Sequence, residues 1–240
     1  MSLSNPSELL LKNSDLLQAN NALFVNCPDA MFLSHWATQN ENSKATSLHY
    51  NYADYLATSS AKIDNIAFAF THEYQTEALH DLIVVYFPKS KAELQYTLAM
   101  INGHITEDAL FLFVGDNKGG VKTVSKLVKE QISWCRKESS AKHCSLFVGL
   151  FNGIRKEFDI EQWYTHTQIS INNTEFTLSS LPGVFSHERL DKGTQELLNH
   201  LPNLLKGKVL DFGCGAGPIA IYALKNNKDI EVEMIDVNAL

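Results

Sequence analysis

The run Val209-Leu-Asp-Phe-Gly-Cys-Gly-Ala-Gly-Pro-Ile-Ala220 constrains this 240-residue chain more than any other stretch. An apolar segment of strand character enters it, glycines stand at 213, 215 and 217, and an apolar segment of helical character leaves it. Alternate glycines permit positive φ angles and leave no Cβ, so a ligand can lie against bare backbone at the helix N-terminus. Pro218 suits the first helical turn, where a missing N–H costs nothing. A strand, a tight turn and a helix are therefore expected, as in an α/β domain. The dinucleotide fingerprint Gly-x-Gly-x-x-Gly does not fit, because its third glycine falls on Pro218 or Ala220.

The chain upstream repeats the alternation. Asn65–Phe70, Asp81–Pro88, Ala109–Gly115 and Cys144–Phe151 are continuous apolar runs, suited to strands buried on both faces. Helical stretches are predicted between them at Lys89–Asn102 and Gly119–Gln131. The first sixty residues read mainly as helix and loop, with Ser7–Lys12 a first helix. Asn152-Gly153 and the charged Arg155–Asp159 mark a boundary. A hairpin is expected over Thr167–Ile171 and Glu175–Leu178 through Asn172-Asn173. A helix near Thr194–Leu201 then precedes the strand Lys208–Phe212, the helix Pro218–Asn226 and the strand Ile230–Ile235. The reading is two α/β domains, 1–158 and 159–240. A strand–helix–strand unit cannot cover both faces of its sheet, so the second is expected to be only the start of a domain.

No run of 18 or more apolar residues exists, so no membrane-spanning segment is expected, and the first residues carry no secretory pattern. The cytoplasm is the expected compartment. Cysteines 27, 135, 144 and 214 lack zinc-ligand spacing, and no metal is expected. The net charge of −7 is unevenly spread. Residues 1–115 hold 5 basic and 12 acidic side chains, residues 116–142 hold 7 and 3, and residues 143–240 hold 8 and 12. One basic stretch stands in an acidic protein.

Asp211, two residues before the first glycine, completes a pattern Asp-x-Gly-x-Gly-x-Gly that resembles the first motif of class I S-adenosylmethionine-dependent methyltransferases. In that family the loop runs under the methionine part of the cofactor, and an acid ending the second strand accepts hydrogen bonds from the ribose. Asp236 stands at that place, 19 residues after Gly217. A carboxylate with two acceptor oxygens suits a vicinal diol. The resemblance implies S-adenosylmethionine as cofactor, bound by Asp211, Gly213, Cys214, Gly215, Gly217 and Asp236. The plain alternative is an acidic helix cap in a cofactor-free domain.

The ordered set Leu9–Asp15, Tyr86–Lys91, Phe113–Val121, Leu181–Ser186 and Asp191–Gln195 narrows the match. Over essentially its full length the chain resembles the ribosomal RNA small subunit methyltransferase C family. That resemblance implies two tandem Rossmann-like class I methyltransferase domains, the second incomplete in this chain, of which only the second binds cofactor. Ala22–Asp29 carries no glycine, and Tyr86-Phe-Pro-Lys89 takes the place of the family's Asn-Pro-Pro-Phe without the Asn, so the first domain looks like a degenerate copy. The implied reaction is methyl transfer to the exocyclic amine of a guanine in 16S ribosomal RNA, the small ribosomal subunit being the partner. The second domain's own Asn-Pro-Pro-Phe is expected beyond residue 240, so no catalytic residue is named and the chain alone is expected to be inactive. Two further readings stand beside this one: the sister class acting on large-subunit RNA, and a non-catalytic RNA-binding or scaffold protein.

Lys118, Lys122, Lys126 and Lys129 fall near one face of the helix predicted at 119–131, and Val121, Val124, Val128 and Ile132 fall on another. A row of cations is what contact with a phosphate backbone requires, and a solvated helix face is the alternative. Ser186-His187 lacks the Gly-x-Ser-x-Gly elbow of a hydrolase. Phe185 is a candidate for lining a cofactor pocket or for plugging the domain joint.

Overall fold

The computed structural model describes residues 3–185, 189–202 and 205–240. The chain divides into two compact units, Met1–Asp159 and Ile160–Leu240.

In chain order the first unit contains α1 (Asn5–Leu11), β1 (Asn21–Val25), α2 (Ala30–Gln39), β2 (Lys44–His49), α3 (Tyr52–Ser59), β3 (Ile66–Phe70), β4 (His80–Tyr86), α4 (Lys91–Ile101), β5 (Ile105–Asp116), α5 (Val124–Leu127), β6 (Ile132–Ala141) and β7 (Cys144–Phe151). The seven strands form one sheet in the order β3-β2-β1-β4-β5-β7-β6. Pairings from β3 through β5 are parallel, and β7 runs antiparallel to both β5 and β6. Chain direction along the sheet reverses between β1 and β4, which places a crevice at the carboxyl ends of those two strands.

Burial on both faces of the sheet explains the continuous apolar runs. Ala22, Phe24, Leu82, Val84, Leu112 and Val114 pack with Leu9 and Leu10 of α1 and Phe32, Leu33 and Trp36 of α2. The alternate residues Leu23, Val25, Ile83, Val85, Phe111 and Phe113 are buried as completely on the other side. Phe24 anchors the first layer with edge-on contacts to Phe32 and Trp36, at 5.7 and 5.2 Å between ring centroids. The Trp36 indole N–H donates to the Leu17 carbonyl at 2.8 Å, so this polar group is satisfied inside the core.

Two sequence expectations are corrected and one unassigned segment is placed. The first sixty residues are not mainly helix and loop, because β1 and β2 lie within them at the centre of the sheet. β1 is a five-residue strand with four apolar residues in a row, too short for its period to separate strand from helix. β2 is disguised by polar residues that face the interior: Ser47 Oγ and His49 Nε2 lie 2.8 Å apart, and Thr58 Oγ1 lies 3.2 Å from the same nitrogen, while His49 Nδ1 has no hydrogen-bond partner among the described residues. The helix expected at 119–131 is only a 3-10 turn at Val121–Thr123 followed by the single turn α5. Gly120 at φ +96° starts it, and β-branched Val121, Thr123, Val124 and Val128 weaken it. Residues 132–141, unassigned from sequence, form the edge strand β6.

The second unit holds the antiparallel hairpin β8 (Thr165–Ile171) and β9 (Thr174–Ser180), then α6 (Lys192–His200), β10 (Gly207–Phe212), α7 (Pro218–Asn226) and β11 (Ile230–Ile235). Asn172 and Asn173 close the hairpin at φ +50° and +64°, the primed turn expected of this pair. β10 and β11 pair in parallel from Gly207↔Ile230 to Phe212↔Ile235. Ile169, Ile171, Phe176 and Leu178 of the hairpin share a small core with Leu198 and Tyr222. Among the described residues no helix is long and apolar enough to cross a membrane.

Buried titratable groups set how the first unit responds to acid. Burial pushes His49 and His80 down to about 4 and Glu93 up to about 7. The histidines stay neutral in the fold but take up protons when it opens, so their contribution is present above pH 6.5 and lost as the pH falls toward 4. Glu93 acts in the opposite sense: its contribution is present below pH 4.5 and lost as the pH rises through 7. Two protons against one leave a net slope, so these groups should lower stability by about 1.4 kcal/mol per pH unit on acidification between roughly pH 6.5 and 4.5. Urea unfolding at several pH values, followed by far-ultraviolet circular dichroism, checks the sign. Stability rising on acidification would contradict these protonation states.

Candidate functional site

The glycine loop joins β10 to α7, and backbone bonds to the neighbouring strand set its path. Gly213 N–H and Cys214 N–H both donate to the Ile235 carbonyl, at 2.7 and 3.1 Å, so the loop turns over the carboxyl end of β11. Gly217 N–H returns to the Cys214 carbonyl at 2.8 Å. Glycines 213, 215 and 217 have φ of +76°, +51° and +77°. At Gly213 a Cβ would meet nothing within 4 Å, and at Gly215 only Val184 Cγ1 at 3.8 Å, so backbone there borders open space. At Gly217 a Cβ would meet Met234 Cε of β11, the movable end of a flexible side chain, so it is the φ of +77° that favours glycine there.

The two acids divide the work. Asp211 is buried, and its Oδ2 accepts from Ala220 N–H at 3.1 Å in the first turn of α7. α7 has Gly217 as its N-cap and therefore no capping side chain of its own, so the Asp211 carboxylate supplies that acceptor from the preceding strand. Asp236 is half-buried at the end of β11, where Oδ2 accepts from Gly215 N–H at 2.8 Å and Oδ1 from Asn238 N–H at 2.9 Å. A carboxylate offers about four acceptor positions, so both oxygens retain acceptor capacity. Burial, helped by Asp236 and Asp211, pushes the Cys214 thiol up, so this residue stays protonated and contributes backbone to the loop.

Sequence reading missed two residues that shape this region. Val184, within Leu181–Ser186, lies against Gly215, and Met234, within the predicted strand Ile230–Ile235, lies against Gly217, with no role at the loop assigned to either side chain from sequence. Phe185, next to Val184, is 77% exposed. Ser186 and His187 lie outside the described residues. Among the described residues no group of His, Cys, Asp and Glu is placed to hold a metal.

The same backbone device recurs in the first unit. Asn26 N–H donates to the Leu48 carbonyl at 2.7 Å, just past the pairing Val25↔Leu48, as Gly213 does to Ile235 just past Phe212↔Ile235. Asn26 has φ +54°, matching the left-handed Gly213. Beyond that point the two loops differ. Pro28 and the helix-starting Asp29 follow, and the Asp29 carboxylate accepts from Ser4 N–H and from the hydroxyls of Ser4 and Ser7. Ser7 Oγ also lies 2.6 Å from Tyr86 OH, at the end of β4. The N-terminus of α1 thus occupies the carboxyl ends of β1 and β4, where a doubly wound sheet would open its crevice.

Two family models match successive parts of the chain. Residues 7–167 match the family described as methyltransferase small domain N-terminal, and residues 175–240 match the methyltransferase small domain. Ribosomal RNA small subunit methyltransferase C of Colwellia psychrerythraea is 42% identical, with 100% of this chain and 69% of that protein aligned. The protein of the same name from Shewanella sediminis is 36% identical over 99% of this chain and 68% of its own length. The chain belongs to the ribosomal RNA small subunit methyltransferase C family. It spans about two thirds of the length of these relatives. A T. thermophilus 16S rRNA N2 G1207 methyltransferase, solved with AdoMet and guanosine, shares the fold with a TM-score of 0.71 at 20% identity. That likeness covers 94% of this chain and 62% of the other. The expected fold class, tandem Rossmann-like methyltransferase domains, agrees with these matches.

Asp211→Ala should release the first turn of α7 and weaken the second unit by about 1–3 kcal/mol, the cost of leaving a donor unmatched near a helix start. Amide hydrogen exchange reads this directly, and Ala220 N–H should lose protection first. Unchanged protection at Ala220 would remove Asp211 from this role.

Proposed function

We propose that this chain is part of an enzyme that methylates the exocyclic amino group of a guanine in 16S ribosomal RNA with S-adenosylmethionine, held by the second unit. The observation that carries the reading is the open backbone at Gly213 and Gly215, set beside a carboxylate with spare acceptor capacity at Asp236. Bare backbone admits the close approach of a ligand, and Asp236 suits the ribose diol. Gly213, Cys214 and Gly215 would run beneath the methionine part, and Gly217 supplies the left-handed turn into α7. Asp211 acts one step away, as a positioning residue that fixes the loop through Ala220. Family membership supports both the cofactor and the RNA substrate class.

The cofactor supplies a methyl group activated by a sulfonium. What these residues contribute is position: they hold the donor at the carboxyl ends of β10 and β11, so that an incoming nucleophile meets it in a fixed direction. A guanine amine is a poor nucleophile because its lone pair is delocalised into the ring. Groups that accept its hydrogens would favour a pyramidal nitrogen, and the base must leave its stack to reach them. No residue of these 240 is assigned that task.

We read the first unit as a copy that holds no cofactor. Asn26-Cys27-Pro28-Asp29 replaces the glycine loop, and Ser4 and Ser7 take up the acceptors of Asp29. The exposed lysines 118, 122, 126 and 129 are proposed to face RNA, although they border β6 rather than forming one helix face.

Asp236→Ala, made in the product of the full reading frame, should weaken S-adenosylmethionine binding by about 1.5–3 kcal/mol through loss of charge-assisted hydrogen bonds. Calorimetric titration of both proteins measures it, and equal affinities would refute the ribose assignment. Transfer of labelled methyl to undermethylated small subunits, with large subunits as the control, tests the substrate. Label appearing on large-subunit RNA alone would overturn it.

A further inference from the structure

β6 is an edge strand, paired only with β7. Charges on an edge strand ordinarily block stray strand pairing, which accounts for Arg136, Lys137 and Glu138. It does not account for Trp134, a large apolar ring that is 41% exposed on the same strand. The register explains how the ring comes to face outward. Ile132 pairs with Phe151 and Trp134 with Leu150, so Ser133 is an extra residue in β6. With a period of two, that insertion sends Trp134 to the face opposite buried Ile132. Gly149 permits the irregularity: a Cβ there would lie 2.7 Å from Ile132 Cγ2 and 2.9 Å from the Trp134 carbonyl. The fold therefore turns a tryptophan outward at a defined position.

Its surroundings carry more cations than anions, with Glu138 paired to Arg136 at 3.8 Å. The Arg136 guanidinium lies 5.2 Å from the centre of the Trp134 ring. Arg136 and Lys137 are exposed along the strand. At one end of β6, Asn117 N–H donates to the His143 carbonyl at 2.8 Å and Ser145 Oγ to Asn117 Oδ1 at 2.7 Å, which holds the loop of Lys118 beside the turn of Lys142. At the other end, Asn152 Nδ2 donates to the Glu130 carbonyl at 2.8 Å, fixing the segment that carries Lys129. Among the described residues Lys118, Lys122, Lys126, Lys129 and Lys137 have no ion-pair partner. Ten residues of extended strand give this rim a length of roughly 30 Å.

We propose that β6 and its flanking lysines are a contact surface for single-stranded RNA, in which an unpaired base stacks on Trp134 while the lysines follow the phosphate backbone. This rests on RNA being the substrate. An aromatic ring beneath a guanidinium, set within a line of cations, is the chemistry that holds unpaired bases, whereas duplex RNA keeps its bases stacked inside and offers none to the ring. The acidic balance of residues 1–115 directs a polyanion to this rim rather than elsewhere on the first unit.

The test uses the 240-residue chain and a short labelled RNA, single-stranded or annealed to its complement, in fluorescence anisotropy titrations over a range of salt. Trp134→Ala should weaken single-strand binding by about tenfold with the salt dependence unchanged, and should leave duplex binding alone. Trp134→Phe should recover most of the loss. Lys126→Ala or Lys137→Ala should each reduce the slope of log K against log salt by about 0.7. Wild-type affinity in Trp134→Ala would overturn the surface while leaving the RNA substrate standing. A Phe variant as weak as the Ala variant would trace the loss to folding and overturn the stacking. A wild-type chain that binds neither RNA form would overturn both the surface and the RNA contact on which it rests.

Discussion

The second unit's site depends on one carbonyl. Ile235 O receives two successive amide protons, from Gly213 and Cys214, and this fork ties the end of β10 to the end of β11. With the strand ends tied, Asp236 comes within 2.8 Å of Gly215 N–H, and Gly217 is drawn against Met234. Asp211 then fixes the helix start from below. Each contact needs backbone that a side chain would obstruct or a φ that most residues resist, which is why the glycines recur in this segment.

Comparison of the two units shows how little separates an open loop from a filled one. Both place a left-handed residue immediately after the first strand, bonded to the carbonyl that ends the neighbouring strand. In the second unit the next residues are small and their surroundings open. In the first they are Cys27, Pro28 and Asp29, enclosed by serines from α1 and by Tyr86. Burial pushes the Cys27 thiol up to about 12, the mark of a group with no aqueous contact. The space a cofactor would need has become core, and the polar groups that might have faced it satisfy one another.

The first unit also gains from that closure. Its sheet is covered on both faces, its central strands are almost fully buried, and its rim carries the charged strand β6. A closed unit of this kind can hold a surface in place without taking part in chemistry. The outward tryptophan on β6 arises from a single inserted residue in the strand register, a change that leaves the core beneath it undisturbed.

Sequence alone determined the parts of this protein that rest on local chemistry. The glycine loop, the flanking strands and helix, the Asn172-Asn173 turn and the position of Asp236 follow from φ requirements, proline placement and apolar runs, all of which act within a few residues. The family was legible too, because its motifs occur in order along the whole chain. Tertiary structure decided what depends on partners distant in sequence. β2 is a strand because β1 and β3 pair with it on either side, with Ser47 and His49 buried beside Thr58, and no local pattern in Lys44–His49 announces it. The lysines at 118–129 do not form a helical row, because β6 claims the following residues as the partner of β7. Asp211, read as a ligand for the cofactor, is buried on Ala220, since the strand brings it under a helix that lacks its own cap. Local rules fix the backbone of a loop, whereas the task of each side chain around it depends on which neighbours the fold delivers.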